Sequence, residues 1–202
     1  MAILKWGNVT ETVLQTAAEE QCDLIVLGSR GLSGFKRLML GSISNAVTAK
    51  AQCPVLVIKQ PPPAALSWRR VLVATGGSPW SDAAVDHALE LASAQHLVVC
   101  LLYVEQRRPR RTDSGLTSEA KNVLALAEAR AAAAGVPYEA KLAHGDVATM
   151  ILDTATQQQC DAIVLGSRGL TGFKRLMLGS ISNAIAATAP LPVLIVKRFL
   201  LP

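Results

Sequence analysis

Short apolar runs alternate along most of the chain with longer amphipathic stretches. RVLVAT (70–75), LVVCLLYV (97–104), DAIVLG (161–166) and PVLIVK (192–197) are near-continuous apolar segments rich in Val, Ile and Leu, suited to strands buried on both faces. YEAKLA (138–143) is a half-polar strand. The segments between them carry helix signals. Ser78-Pro79 gives an N-cap and a first-turn proline for a helix running to about Gln95. Thr117 or Ser118 opens an alanine-rich helix that stops at Gly135, with Pro137 just beyond. Asp146 caps a helix whose Val147, Met150, Ile151 and Thr154-Ala155 follow the i, i+3, i+4, i+7 stripe, and a last helix covers roughly 179–189. Strand and helix alternating at these lengths predict an α/β fold with a parallel, doubly wound sheet.

The pattern occurs one and a half times. A shift of 138 residues lays 22–59 on 160–197, with 29 of 38 positions identical. GSRGLSGFKRLMLGSISNA (28–46) and GSRGLTGFKRLMLGSISNA (166–184) differ only at Ser33 and Thr171. The match runs upstream more loosely, 4–21 on 142–159, with Asn8 in the cap position of Asp146 and Val9, Val13 and Ala17 on the stripe. Residues 69–138 have no counterpart in the first copy, which therefore holds only the back half of the repeat. Three prolines in QPPPAALSWRR (60–70) predict an extended linker, dividing the chain into 1–59, 60–68 and 69–198.

Composition adds little to this picture. Half of the residues are hydrophobic but only 4% aromatic, which suits Ala- and Val-rich helices on a buried sheet. A formal charge of +5 leans weakly toward anionic partners such as nucleotides, nucleic acid or acidic surfaces. Cys22, Cys53, Cys100 and Cys160 form no CxxC pair and have no histidine at metal spacing, so free thiols in a reducing cytoplasm are expected and no metal site. The longest strongly apolar run is too short to span a bilayer, and MAILKWGN lacks a signal-peptide core.

The duplicated stretch begins where a strand ends, the place at which open parallel sheets bind ligands. Gly166 and Gly169 flank a tight turn that lets a ligand approach the backbone. Gly179-Ser180 then opens a helix whose unpaired N–H groups and dipole favour an anion, and Arg168, Lys174 and Arg175 add positive charge. The stretch lacks the GK[ST] ending of a P-loop. Its pattern G-x2-G-x9-G-[ST], met by Gly166, Gly169, Gly179 and Ser180 and again by Gly28, Gly31, Gly41 and Ser42, resembles the nucleotide-binding motif of the universal stress protein family. The resemblance covers the second copy from RVLVATGGSP to PVLIVKR and the available part of the first.

That resemblance implies a five-stranded sheet ordered 3-2-1-4-5, as in adenine nucleotide alpha hydrolase-like folds, with ATP or another adenine nucleotide across strands 1 and 4, with or without Mg²⁺. Carried over by position, Gly166, Arg168, Gly169, Gly179, Ser180, Ile181 and Ser182 line phosphates and ribose, and Thr75, Gly76, Gly77 and Val104 flank adenine and ribose. Gly28, Arg30, Gly31, Gly41 and Ser42 form a weaker second set without adenine-side walls. One position departs from the family, which carries aspartate in a T-D-x-S setting where this chain has Thr75-Gly76-Gly77-Ser78. Loss of a charge-assisted hydrogen bond there costs about 1.5–3 kcal/mol.

The resemblance also implies dimerisation through the last strand. In the incomplete first copy, strands near 23–27 and 54–59 survive only by docking on the second, with 54–59 antiparallel to 192–197 as an intrachain pseudo-dimer or with a homo-oligomer forming instead. Residues 2–6 should be detached or pair with another molecule. RRPRR (107–111) has no interleaved aromatics for nucleic-acid bases, and Asp82, Asp86 and Glu90 read as the solvated face of a helix. His87, His96 and His144 are scattered. A nucleotide-responsive stress-signalling protein is the leading function. A scaffold that binds no nucleotide is the alternative, and an ATP pyrophosphatase, to whose S-G-G-x-D-S loop TGGSPWSD is faintly similar, is a third; Asp82 falls three residues late for that chemistry. No general base is identified, so at most slow hydrolysis is expected.

Overall fold

The computed structural model describes residues 2–29, 40–59, 68–106, 117–169 and 178–198. The chain runs through α1 (Val9–Glu19), β1 (Ile25–Gly28), α2 (Ser42–Lys50), β2 (Val55–Ile58), β3 (Arg70–Thr75), α3 (Pro79–Gln95), β4 (Val98–Glu105), α4 (Ser118–Ala133), β5 (Tyr138–His144), α5 (Val147–Gln157), β6 (Ala162–Gly166), α6 (Ser180–Thr188) and β7 (Val193–Val196). Side-chain caps start α1, α3, α4 and α5 where the sequence signals them. Ser78 and Ser81 exchange hydroxyl-to-backbone bonds in a capping box of 2.9 and 3.1 Å, and Pro79 stands at the first helical position. Asp146 accepts from the Thr149 N–H at 2.9 Å, Thr117 from that of Ala120 and Asn8 from that of Glu11. Gly135, at φ +63°, follows the end of α4.

The strands form one sheet in the order β1-β2-β7-β6-β3-β4-β5. From β5 to β7 it is parallel and follows the expected 3-2-1-4-5 order. One face packs Val71, Val73, Val99, Leu101 and Val164 against the alanines of α3 and α4. The other packs Leu72, Leu102, Ile163 and Ile195 against α5 and α6. Asp82 and Asp86, expected only to face solvent, lie 3.7 and 3.3 Å from Arg130 and tie α3 to α4. RRPRR (107–111), most of the proline segment (60–67), Arg30, Gly31 and Lys174–Arg175 lie outside the described residues.

The back-half copy joins the complete one through the expected antiparallel pair. Val55, Leu56 and Val57 of β2 face Ile195, Leu194 and Val193 of β7. Under the 138-residue shift Leu56 and Leu194 are equivalent, so the local two-fold passes through their pairing, and the contact is isologous within one chain. Two lysines repeat the symmetry: the Lys59 ammonium donates to the Ala187 carbonyl at the end of α6, and Lys197 donates to Thr48 and Ala49 at the end of α2. Each cation thus meets the negative end of a helix from the other copy. A third apolar cluster, with Val47, Val55 and Val57 at its centre, takes Ala186 of α6 across the same seam. Residues 2–6 form no strand.

Burial, with Arg168 adding repulsion, lowers the Lys197 pKa to about 8. The unfolded chain then binds more protons than the folded one between about pH 8 and the ordinary lysine value of 10.5, so this group's contribution to stability rises across that window. Chemical denaturation of wild type and Lys197→Met at pH 7 and pH 10 is expected to show the difference shifting in favour of wild type at the higher pH; a pH-independent difference contradicts it.

Candidate functional site

The carboxyl ends of β3 and β6 meet beside the N-termini of α3 and α6. Gly166 ends β6 against the first turn of α3: a Cβ there would fall 2.8 Å from the Ser81 nitrogen and closer still to the Trp80 carbonyl. Only glycine lets strand and helix approach this closely. The chain then turns so that the Gly179 N–H donates to the Ser167 carbonyl at 2.9 Å, and a Cβ on Gly179 would press on Arg168 Cα at 3.3 Å. Two of the three motif glycines are therefore close-approach residues of the scaffold. Gly169 is different: a side chain there would meet nothing within 4 Å.

The start of α6 is bare of capping side chains. Gly179 is the N-cap, and the first intrahelical bond runs from Asn183 N–H to the Gly179 carbonyl at 2.8 Å. That leaves the Ser180, Ile181 and Ser182 amides at a helix N-terminus without an intrahelical acceptor, the feature that favours an anion. Ser180 is exposed. The Ser182 hydroxyl is buried and donates to the Gly166 carbonyl at 2.7 Å. It ties the start of α6 to the end of β6. Ile181 and Val104 pack against the core cluster under α5 and α6.

On the β3 side Thr75 is buried, and its hydroxyl accepts from the Gly77 N–H at 3.4 Å. The Gly76 N–H donates to Ser81 Oγ at 3.2 Å, and a Cβ on Gly76 would touch nothing within 4 Å. Gly77 sits at φ +70° against Val123. Two residues absent from the sequence assignment also belong here. The Arg168 guanidinium stacks 5.6 Å from the Trp80 ring centroid, and Ser78 Oγ points at the Arg168 carbonyl at 3.5 Å. Nothing in the motif spacing marks Trp80, because its role depends on how α3 abuts the end of β6. Glu105, at the end of β4, lies 3.4 Å from His144 and accepts from the Thr117 N–H.

The first copy reproduces the loop scaffold: Gly41 N–H donates to Ser29 at 2.9 Å, and Ser44 Oγ to Gly28 at 2.8 Å. Ser42, like Ser180, is an exposed residue at the start of its helix. Antiparallel pairing of β2 with β7 puts this second loop at the opposite end of the sheet. Among the described residues it has no counterpart of Thr75–Ser78 or Trp80 beside it.

The family model described as the universal stress protein family matches residues 1–59 and 67–197. A universal stress protein of Mycolicibacterium smegmatis is 30% identical over 198 residues, 94% of this chain, and this chain spans 66% of that relative's length. The crystal structure of a universal stress protein from Archaeoglobus fulgidus gives a TM-score of 0.76 at 26% identity, covering 94% of this chain and 67% of that one. A universal stress protein solved in complex with cAMP gives 0.55 at 27% identity, covering 64% of this chain and 97% of its own. With that family model matched over most of its length, the chain belongs to the universal stress protein family.

Proposed function

We propose that the chain binds one adenine nucleotide, ATP or a relative, between the ends of β3 and β6, and passes its occupancy to partners as a stress-responsive binding protein. The nucleotide unit is 69–198; residues 1–59 form a second, non-binding unit joined through 60–68. The observation that carries this reading is the uncapped start of α6, where three amides stand beside Arg168 and the open turn at Gly169. The cAMP complex of a relative supports an adenine nucleotide as the ligand class. The phosphates would lie on the Ser180–Ser182 amides and the nucleoside toward Thr75, Gly76 and Val104. Binding rather than turnover, with at most slow hydrolysis, is the expected activity.

Calorimetric titration with ATP and Mg²⁺ is expected to give one site per chain. Absence of binding at millimolar nucleotide refutes the proposal and favours a scaffold that uses the fold without the ligand.

Gly76 supplies a second test. A Cβ added there would meet nothing within 4 Å, so a side chain can start from this position. Gly76→Asp is expected to tighten nucleotide binding by about ten- to a hundredfold, the equivalent of one restored charge-assisted hydrogen bond. Unchanged affinity would place the nucleoside away from Gly76.

A further inference from the structure

Trp80 is a large aromatic side chain that the core does not use. Among the described residues it belongs to none of the three apolar clusters, whereas Trp68 packs on the first of them. It stands partly buried in the first turn of α3, and that turn is locked against the end of β6. Pro79 and the Ser78–Ser81 capping box fix its backbone, with the Ser81 N–H donating to Ser78 Oγ at 3.1 Å. Gly166 presses on it from the other side: a Cβ there would lie 2.4 Å from the Trp80 carbonyl oxygen. The indole ring is therefore carried on a rigid mount beside the glycine loop.

The backbone of Arg168 is equally well held. The N–H of Ser167, one residue before it, donates to the Val196 carbonyl, and the Ser167 carbonyl accepts from Gly179, both at 2.9 Å. Ser78 Oγ reaches the Arg168 carbonyl itself at 3.5 Å. Gly179 lies so close that a Cβ on it would come 3.3 Å from Arg168 Cα. These contacts place the residue between the starts of α3 and α6, but they do not order its long, rotamer-rich side chain. The Trp80 ring does so, 5.6 Å from the guanidinium carbon. On the β7 side stands a second cation, Lys197, held by the Thr48 and Ala49 carbonyls and within reach of the Arg168 charge.

Stacking and anion binding use different parts of a guanidinium. An aromatic ring meets its face, while an oxyanion is met by its in-plane N–H fork, so one arginine can do both at once. A stacked arginine also loses little rotamer freedom when an anion arrives, because that freedom was given up on folding. A full charge complements the start of α6, whose Ser180, Ile181 and Ser182 amides supply only the partial charge of a helix end.

We infer that Trp80 is a positioning residue of the nucleotide site: its ring holds the Arg168 guanidinium between the starts of α3 and α6, in place for a phosphate before the nucleotide binds. Its role rests on the proposed phosphate-binding function of that site and adds to it a residue that the glycine motif does not contain. Trp80 touches no phosphate and acts through Arg168 alone. Leucine in its place keeps an apolar side chain on the same turn and loses the stack, whereas phenylalanine keeps a π face for the cation. An unstacked arginine bears its ordering cost at the moment of binding, which weakens the complex.

Calorimetric titration of ATP with Mg²⁺ into the full chain supplies a double-mutant cycle over Trp80 and Arg168. Trp80→Leu should weaken binding about fivefold, Trp80→Phe should keep most of the affinity, and Trp80→Leu should cost nothing further in an Arg168→Gln chain. An equal loss in both backgrounds overturns the inference, since the ring would then act on the nucleotide or on α3 directly. Wild-type affinity in Trp80→Leu overturns it as well. A second readout needs no nucleotide. In a Trp6→Phe/Trp68→Phe chain Trp80 is the one tryptophan left, and Arg168→Gln should shift its fluorescence emission. Unchanged emission shows that the stack is absent and overturns the inference whatever ATP does. This readout leaves Trp80 in place, so it decides even where circular dichroism shows that Trp80→Leu does not fold. Shifted emission without ATP binding at millimolar concentration overturns both the inference and the proposed function, whereas ATP binding with an uncoupled cycle overturns the inference alone.

Discussion

Three residue pairs between β2 and β7 hold the molecule together. On the β1 side of that line the described residues form half a repeat, with a two-stranded sheet, two short helices and a small core. Such a fragment buries too little apolar surface to stand alone. Antiparallel pairing about Leu56 and Leu194 solves the problem by lending it a finished sheet, and Ala186 and Ala187 of α6 supply part of its core. The two lysines that cross to opposite helix ends fix the register of the seam from both sides. The symmetry of the contact follows from the repeat itself, because near-identical strands present self-complementary edges.

The same pairing explains why the duplicated glycine loops are unequal. A parallel sheet places its ligand site between two neighbouring strand ends, and the amides of one helix N-terminus form only one wall. In the complete copy the end of β3, with Gly76, Gly77 and Trp80, stands beside that helix start. In the partial copy the loop scaffold survives, down to Ser44 on Gly28, without that second wall among the described residues.

Much of the fold was legible because its signals are local. Caps at Asn8, Ser78, Thr117 and Asp146, the stop at Gly135 and the Val-rich runs are each set by a few neighbouring residues. The β2–β7 pairing was also readable, since a half-repeat leaves few other ways to cover strands 55–58. The site was legible only in part. Spacing pointed to Gly166, Gly179 and Ser180, which the fold gathers at the end of β6 and the start of α6, but could not show that the Ser182 hydroxyl turns inward to the Gly166 carbonyl. Trp80 and the ion pairs of Arg130 escaped because they join elements distant in sequence. Asp161, which accepts from the Arg69 and Arg70 N–H groups at the start of β3, makes another such contact, visible only once the strands are side by side.

The account rests on the two copies forming one sheet rather than two units linked by a tether. Native-state hydrogen exchange of the hydrogen-bonded amides in 55–57 and 193–195 tests this most directly. If the seam is integral, these amides exchange only through the same cooperative opening that exposes β3 and β6. Fast exchange of β2 and the outward-facing amides of β7, while β3 and β6 stay protected, would show that the partial copy detaches and that the seven-stranded sheet is not the stable state of the protein.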